Sequence, residues 1–114
     1  MDMDTLDNRK YERVPFSATV KVLDRETGLV VRGRSIDLSR GGIGFFAERF
    51  LPQGSHIRLI LTMQAGGRPV TTAVDAVVMR ATTEGAGGIM GAQFDRVLNP
   101  LDQSLLCEVV DSRT

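Results

Sequence analysis

Short runs of β-branched and aliphatic residues recur along most of the chain, and a turn sequence separates each run from the next. The strongest run is His56–Met63 (HIRLILTM), and Val70–Ala81 alternates apolar with polar side chains. An alternation with a period of two places the apolar side chains on one face of a strand. The shorter runs cover residues 16–23, 29–37, 43–47 and 89–94. Six or seven strands with short connections predict a fold dominated by β-structure, either a small antiparallel barrel or a sandwich.

The two ends of the chain follow other patterns. Residues 1–8 (MDMDTLDN) are acidic and polar without periodicity, which predicts a disordered tail. The dipeptide Asn99-Pro100 is typical of a helix start, because Asn caps a helix and Pro fits its first position. We therefore predict an amphipathic helix over residues 99–110 that packs on the barrel. Its apolar positions recur at every fourth residue: Leu101, Leu105 and Val109.

The composition limits both the size and the class of the protein. A chain of 114 residues, 42% of them hydrophobic, has material for one domain, here residues 9–114. Within it we expect an arm over residues 9–14, a barrel over 15–96 and then the helix. Acidic and basic residues number 14 each, and the zero net charge disfavours a protein that binds nucleic-acid polymers or anionic lipid through a broad basic field.

Two further features bear on location. No apolar run reaches 18 residues, and the first residues are acidic and polar, so we expect neither a transmembrane helix nor a secretory signal. Cys107 is the single cysteine, which excludes a disulfide within the chain and fits a reducing compartment. The expected location is the cytoplasm.

Two arginines, Arg9 and Arg13, stand just before the first predicted strand as an R-x-x-x-R arm. Each guanidinium is a planar fork of five donors that matches two phosphate oxygens or the O6/N7 edge of guanine. The following Val14-Pro15 disfavours helix at Val14. The arm is therefore predicted to be extended or turn-like and able to wrap a ligand. The alternative for such a pair is a solvated charged segment, with Arg13 paired to a neighbouring carboxylate.

A D-x-S-x-x-G turn formed by Asp37, Ser39 and Gly42 lies between two strand-like runs. One interpretation is structural: Asp37 and Ser39 bond nearby backbone amides, and the glycines adopt positive φ. The other is functional. Asp37 can accept from N1–H and N2–H₂ of a guanine, Ser39 can bond a phosphate or a base, and Gly42 lets the backbone approach a flat ring.

Taken together, these motifs resemble the PilZ family of bacterial cyclic di-GMP receptors. The resemblance rests on RKYERVPF at residues 9–16, DLSRGGIGF at 37–45 and GAQF at 91–94, and it spans about residues 8–110. It implies a six-stranded antiparallel PilZ-type β-barrel with a C-terminal α-helix, in agreement with the strand count.

The resemblance also implies a ligand, cyclic di-GMP, and a set of contacts. Arg9 and Arg13 would bind its phosphates and guanine edges, Asp37 and Ser39 would hold guanine and backbone atoms, and Gly42 would shape the turn. Further candidate contacts are Lys10, Arg40 and Gly41.

One position departs from the family pattern. Many relatives carry another basic residue directly before the first arginine, where this sequence has Asn8. That neighbourhood influences whether one ligand or a stacked pair binds. The number of ligands, and whether the protein is a monomer or a dimer modulated by ligand, therefore stay open.

The sequence favours a binding protein over an enzyme. We find no acid/base pair and no nucleophile arrangement, and one histidine with one cysteine cannot form a Cys/His metal cluster. His56 is expected on the surface and Cys107 in the core. The predicted function is a cyclic di-GMP receptor or adaptor in which the ligand orders the arm and the resulting surface contacts an effector protein. The alternatives are a ligand-independent PilZ-like interaction module and a barrel that binds RNA or single-stranded DNA, which the neutral charge and six aromatic residues disfavour.

Overall fold

The structure, a computed structural model, describes residues 11–113. Within that range the chain forms seven strands followed by a helix. The strands are β1 (Val14–Pro15), β2 (Thr19–Asp24), β3 (Val30–Leu38), β4 (Gly42–Ala47), β5 (His56–Ala65), β6 (Arg68–Glu84) and β7 (Gly87–Phe94), and the helix is α1 (Ser104–Arg113).

Six of these strands close into a ring in which every pair is antiparallel. The order around the ring is β3-β2-β5-β6-β7-β4, and β4 then pairs with β3 again. This confirms the predicted six-stranded antiparallel barrel with a C-terminal helix. The short β1 lies outside the ring and pairs with the end of β3, where Val14 is opposite Leu38 and Pro15 is opposite Asp37. The chain just before the barrel is thereby attached to the strand that carries Asp37.

The barrel interior is filled by alternate residues of every strand, as the period-two pattern predicts. Buried side chains at the centre include Val22, Phe45, Leu59, Leu61 and Val78, each fully inaccessible to solvent. The helix adds Leu106, Cys107 and Val110, and Leu98 precedes it. Burial of apolar surface stabilises by about 25 cal/mol per Å². Cys107 is thus a core residue and His56 an exposed one, as predicted.

A β-bulge in β3 determines which way Asp37 points. Ser35 is opposite Phe45 of β4, but the next pair is Asp37 with Gly44, so that Ile36 is an extra residue. Ser35 is buried, and regular alternation would turn Asp37 inward after it. The extra residue shifts the phase, so Leu38 points into the core and Asp37 lies on the outer face.

The side chain of Ser35 fastens the segment between β1 and β2. Its hydroxyl donates to the carbonyl oxygen of Phe16 at 2.7 Å and accepts from the amide of Ala18 at 2.7 Å. A buried hydroxyl needs such partners, because an unsatisfied one costs about 1–3 kcal/mol. These bonds hold the entry to the barrel against β3.

The helix begins at Ser104, five residues later than the predicted start at Asn99. The side chain of Asn99 accepts from the amides of Leu101 and Asp102 at 2.9 and 3.1 Å, which makes a local turn instead of a helix cap. Gln103 then anchors the helix start, because its amide group donates to the carbonyl oxygen of Ala73 at 2.7 Å. Leu101, predicted on the apolar face, is 96% exposed.

Within residues 11–113 no helix is long and apolar enough to cross a membrane.

Candidate ligand-binding site

The turn between β3 and β4 is held by Ser39. Its amide donates to the carbonyl oxygen of Gly42 at 2.9 Å. Its hydroxyl oxygen accepts from the amides of Gly41 and Gly42 at 3.2 and 3.1 Å. Ser39 is 4% exposed, so the predicted ligand contact at this hydroxyl competes with bonds inside the turn.

Glycine is needed at positions 41 and 42 of this turn because other atoms lie where a Cβ would be, and not because the backbone conformation excludes other residues. A Cβ on Gly42 would lie 2.4 Å from the carbonyl oxygen of Ala92, and a Cβ on Gly41 would lie 2.8 Å from the ring of Tyr11. The structural interpretation of this turn included positive φ at its glycines, and neither Gly41 nor Gly42 has it. Within the described residues the glycines with positive φ are Gly28, Gly54, Gly66, Gly67 and Gly85.

An ion pair joins the arm to the turn across 24 residues of sequence. Arg13 Nη1 donates to Asp37 Oδ1 at 2.8 Å. The same oxygen accepts from the amide of Gly44 at 3.0 Å. A carboxylate held by a guanidinium and a backbone N–H is fixed in orientation. Both bonds use Oδ1, and Oδ2 is the oxygen that can accept from a further donor.

Arg40 connects the turn to the C-terminal helix. Its Nη2 donates to both carboxylate oxygens of Asp111, each at 2.8 Å. This hydrogen bond raises the pKa of Arg40 above its ordinary value. The carbonyl oxygen of Arg40 also accepts from the amide of Leu98 at 2.8 Å, and that of Gly41 from Phe94 at 2.9 Å. Arg40, a candidate secondary contact, thus already has a partner within the fold.

Comparison with known proteins identifies the family. The PilZ domain model matches residues 7–111 of the sequence. The chain belongs to the PilZ domain family. No curated protein has a matching sequence.

Solved structures agree with this PilZ assignment. The PilZ domain of YcgR from Escherichia coli, solved with c-di-GMP, superposes with a TM-score of 0.67 at 20% identity over 92% of this chain and 90% of that one. YcgR from Escherichia coli in complex with c-di-GMP gives 0.70 at 20% identity over 91% and 45%. The Bacillus subtilis inhibitor of motility, MotI/DgrA, gives 0.66 at 21% identity over 91% and 50%. The present PilZ chain therefore spans about half the length of MotI/DgrA.

The geometry brings together part of the predicted site. Arg13, Asp37, Ser39 and Gly42 lie at one end of the PilZ barrel, where the arm meets the β3–β4 turn. Arg9 and Lys10, and the departure at Asn8, lie outside the described residues.

One residue of the site was missed in the sequence. Gly44 donates its amide to Asp37, and a Cβ on Gly44 would lie 2.7 Å from Asp37 Oδ1. The sequence feature that could have indicated Gly44 is its position two residues after Gly42. The two flanking residues Ile43 and Phe45 are apolar, and a glycine at the outward position between them marks a close approach from outside the sheet.

Another polar cluster of this PilZ domain lies away from the turn between β3 and β4. Arg58, Asp75, Asp95 and Arg96 line a surface groove of about 510 Å³ between β5, β6 and the segment before α1. None of the predicted ligand-binding residues lines this groove. Among residues 11–113 no group of three or more His, Cys, Asp or Glu side chains could hold a metal ion. Burial raises the pKa of the Cys107 thiol, which makes it a poor nucleophile.

Proposed function

We propose that this PilZ domain is a receptor or adaptor for cyclic di-GMP that acts by binding and not by catalysis. The observation that carries the proposal is the 2.8 Å ion pair between Arg13 and Asp37. It joins the second arginine of the R-x-x-x-R motif to the first residue of the D-x-S-x-x-G motif. Motif residues so far apart in sequence come to one place on the surface, as a shared ligand would require.

The chemistry of this place suits a cyclic dinucleotide. Asp37 Oδ1 is fixed by Arg13 and by the amide of Gly44. Its Oδ2 can then accept from the N1–H and N2–H₂ of a guanine. Arginine forks supply donors for the phosphates, and charge-assisted bonds of this kind are about twice as strong as neutral ones. Arg9 is the second such fork in the proposal.

Relatives support the ligand. Both Escherichia coli YcgR structures contain c-di-GMP and share this fold. MotI/DgrA of Bacillus subtilis is an inhibitor of motility. From these likenesses we propose the same ligand and a protein effector as partner. A single cysteine, buried and free, fits a cytoplasmic location.

The proposed mechanism is ligand-induced ordering of the arm. Cyclic di-GMP bridges Arg9 and Arg13 to the turn at residues 37–42 and so holds residues 9–13 over this end of the barrel. The surface created or covered in this way is what an effector recognises. Fixing the backbone costs about 1–2 kcal/mol per residue, and the measured affinity is net of that cost.

Calorimetric titration of cyclic di-GMP into the purified protein tests the ligand, with GTP as the control. A saturable signal for cyclic di-GMP alone supports the receptor, and its stoichiometry tells whether one ligand or a stacked pair binds. Sedimentation of the free and bound protein reports whether the ligand changes the oligomeric state. No binding by folded protein would refute the receptor function.

Hydrogen exchange tests the ordering step separately. We expect the amides of residues 9–13 to gain protection on addition of cyclic di-GMP, while the amides of α1 serve as an internal control. Binding without a change in protection of the arm would refute the mechanism but leave the receptor intact.

One observation favours a second function, a ligand-independent interaction module. Ser39, Gly42 and Arg40 each have a structural task within the fold: the turn bonds, the contact with β7 and the pair with Asp111. A chain could keep these residues for stability alone. A flat titration together with capture of the same effector with and without nucleotide would favour this function.

A further inference from the structure

Four residues from adjacent strands lie in one row across the outside of the barrel. Asp37 of β3 is opposite Gly44 of β4, Gly44 is opposite Gly91 of β7, and Gly91 is opposite Arg80 of β6. The order of these strands in the closed ring makes the row continuous.

The two glycines of the row face outward. Ile43 and Phe45 on either side of Gly44 are buried, and so are Met90 and Ala92 on either side of Gly91. Gly44 and Gly91 therefore leave a strip of bare backbone on the outer face. Adjacent strands are about 4.8 Å apart, which sets the width of this glycine strip.

The charged side chains of Asp37 and Arg80 lie close to the glycine strip, one at each side. Asp37 Oδ1 lies 2.7 Å from the place a Cβ on Gly44 would take. Nε and Nη2 of Arg80 each lie 3.8 Å from the place a Cβ on Gly91 would take. Arg80 is exposed and forms no ion pair within residues 11–113. A carboxylate and a guanidinium thus flank a flat surface that has no side chains of its own.

We propose that Arg80 is a further ligand-binding residue, one that reads the O6/N7 edge of a guanine lying flat on the glycine strip formed by Gly44 and Gly91. This inference rests on the proposed cyclic di-GMP function and adds a specificity determinant to it. Asp37 accepts from the N1–H and N2–H₂ of the same base, and Arg80 donates to its O6 and N7. Adenine offers an amino donor where guanine offers O6, which Arg80 disfavours, and it has an N1 acceptor and no 2-amino group where guanine offers donors, which Asp37 disfavours.

The first test is Arg80→Ala, with Arg68→Ala as the matched control. Both arginines are exposed and lie on β6, and Arg68 is at the opposite end of that strand. Loss of a bidentate contact to guanine should weaken cyclic di-GMP binding roughly 5- to 150-fold in Arg80→Ala. Arg68→Ala should bind as the wild type does. Equal affinity of Arg80→Ala and the wild type overturns the proposal.

The second test asks which atom Arg80 reads. The 7-deaza analogue of cyclic di-GMP lacks the N7 acceptor. We expect this change to weaken binding more in the wild type than in Arg80→Ala, since the variant has already lost the donor to N7. An identical loss in both proteins overturns the assignment of Arg80 to the guanine edge. Arg80 would then contribute to binding only through its positive charge.

The third test addresses the glycine strip with Gly91→Ala. The nearest atoms to a Cβ at this position are those of Arg80 at 3.8 Å, an ordinary contact, so the melting temperature should not fall. A methyl group under the base should weaken binding about 10-fold or more. Unchanged binding by folded Gly91→Ala overturns the placement of the base.

The wild-type titration separates this inference from the proposed function. If the wild type does not bind cyclic di-GMP, the receptor function and the role of Arg80 both fail. If the wild type binds and the Arg80 and Gly91 variants bind equally well, only the further inference fails.

Discussion

Two aspartates on the outside of the barrel, Asp37 and Asp75, are each held by arginine, yet their surroundings differ. Arg58 binds Asp75 through both oxygens, with Nε at 2.8 Å from Oδ1 and Nη2 at 3.2 Å from Oδ2. Arg25 adds a further contact to Oδ2 at 3.5 Å and also lies 3.9 Å from Asp95. The Arg58 hydrogen bond holds the pKa of Asp75 below its ordinary value.

At Asp37, by contrast, one oxygen takes both bonds and the neighbouring strand offers glycine. Gly44 gives Asp37 a backbone donor and no side chain to cover it. Arginine side chains bond both oxygens of the Asp75 carboxylate, whereas both bonds to the Asp37 carboxylate use Oδ1, which leaves Oδ2 able to accept. The comparison shows that an ion pair is suited to ligand binding when the neighbouring residue has no side chain to cover it, as at Gly44 beside Asp37.

The largest expected effect contrasts Arg13→Ala with Arg58→Ala. Loss of a charge-assisted contact to the ligand, together with the support of Asp37, should weaken cyclic di-GMP binding by about 100-fold in Arg13→Ala. Arg58 lies away from the site, and Arg58→Ala should leave affinity within about twofold of the wild type. Calorimetric titration of both variants checks this, and comparable losses in the two would break the comparison.

The next largest effect is expected in the free energy of unfolding, measured with urea, when two glycines are each replaced by alanine. In Gly42→Ala the new Cβ meets the Ala92 carbonyl oxygen at 2.4 Å, a backbone atom that cannot swing aside as a side chain can, which should lower the free energy of unfolding by about 1–3 kcal/mol. Gly91→Ala has room for its methyl and should change stability by no more than about 0.5 kcal/mol. Equal stability of the two variants would mean that β4 and β7 do not approach closely at Gly42.

A smaller effect is expected for Ser39→Ala, with the exposed Ser17→Ala as the control. Ser39→Ala removes the acceptor for the amides of Gly41 and Gly42, and the loss should cost about 1–2 kcal/mol in unfolding free energy. Ser17→Ala should be close to neutral. If Ser39→Ala lost ligand binding without losing stability, the hydroxyl would act on the ligand and not on the turn.

The smallest effect concerns Asp75→Asn and pH. Because the folded pKa of Asp75 is lowered, its stabilising contribution is present above the unfolded pKa of about 3.9 and is lost as the pH falls through the folded pKa. The melting temperature of the wild type should therefore exceed that of Asp75→Asn by roughly 4 °C or less at pH 7. The two melting temperatures should converge at strongly acidic pH, and a gap that widened on acidification would contradict the assigned sign.

Much of the fold could be predicted because the relevant signals are local. The apolar run His56–Met63, the alternation over residues 70–81 and the turn glycines indicated strands without reference to partners, and β5 begins at His56 as expected. The bulge at Ile36 could not be predicted, since it depends on how β3 pairs with β4. The helix start was misplaced because Asn99 serves equally well as a helix cap and as the centre of a local turn.

The candidate site likewise has features that local sequence predicts and features that depend on long-range contacts. Asp37, Ser39 and Gly42 form a short motif whose spacing is visible in the sequence. The contacts that assign tasks to residues are long-range: Arg40 reaches Asp111 across 71 positions, and Arg80 meets Gly91 only because β6 pairs with β7. Such partners follow from closure of the barrel and leave no trace in local spacing.

The buried state of Cys107 has a practical consequence for following these events in solution. The thiolate is the form of cysteine that attacks thiol-reactive dyes, and Cys107 is buried with its pKa raised by that burial. A cysteine placed at an exposed loop position, such as Gln53→Cys, would be labelled in strong preference to it at neutral pH. A fluorophore can therefore be attached at a single introduced cysteine without first replacing Cys107, because Cys107 does not compete for the dye.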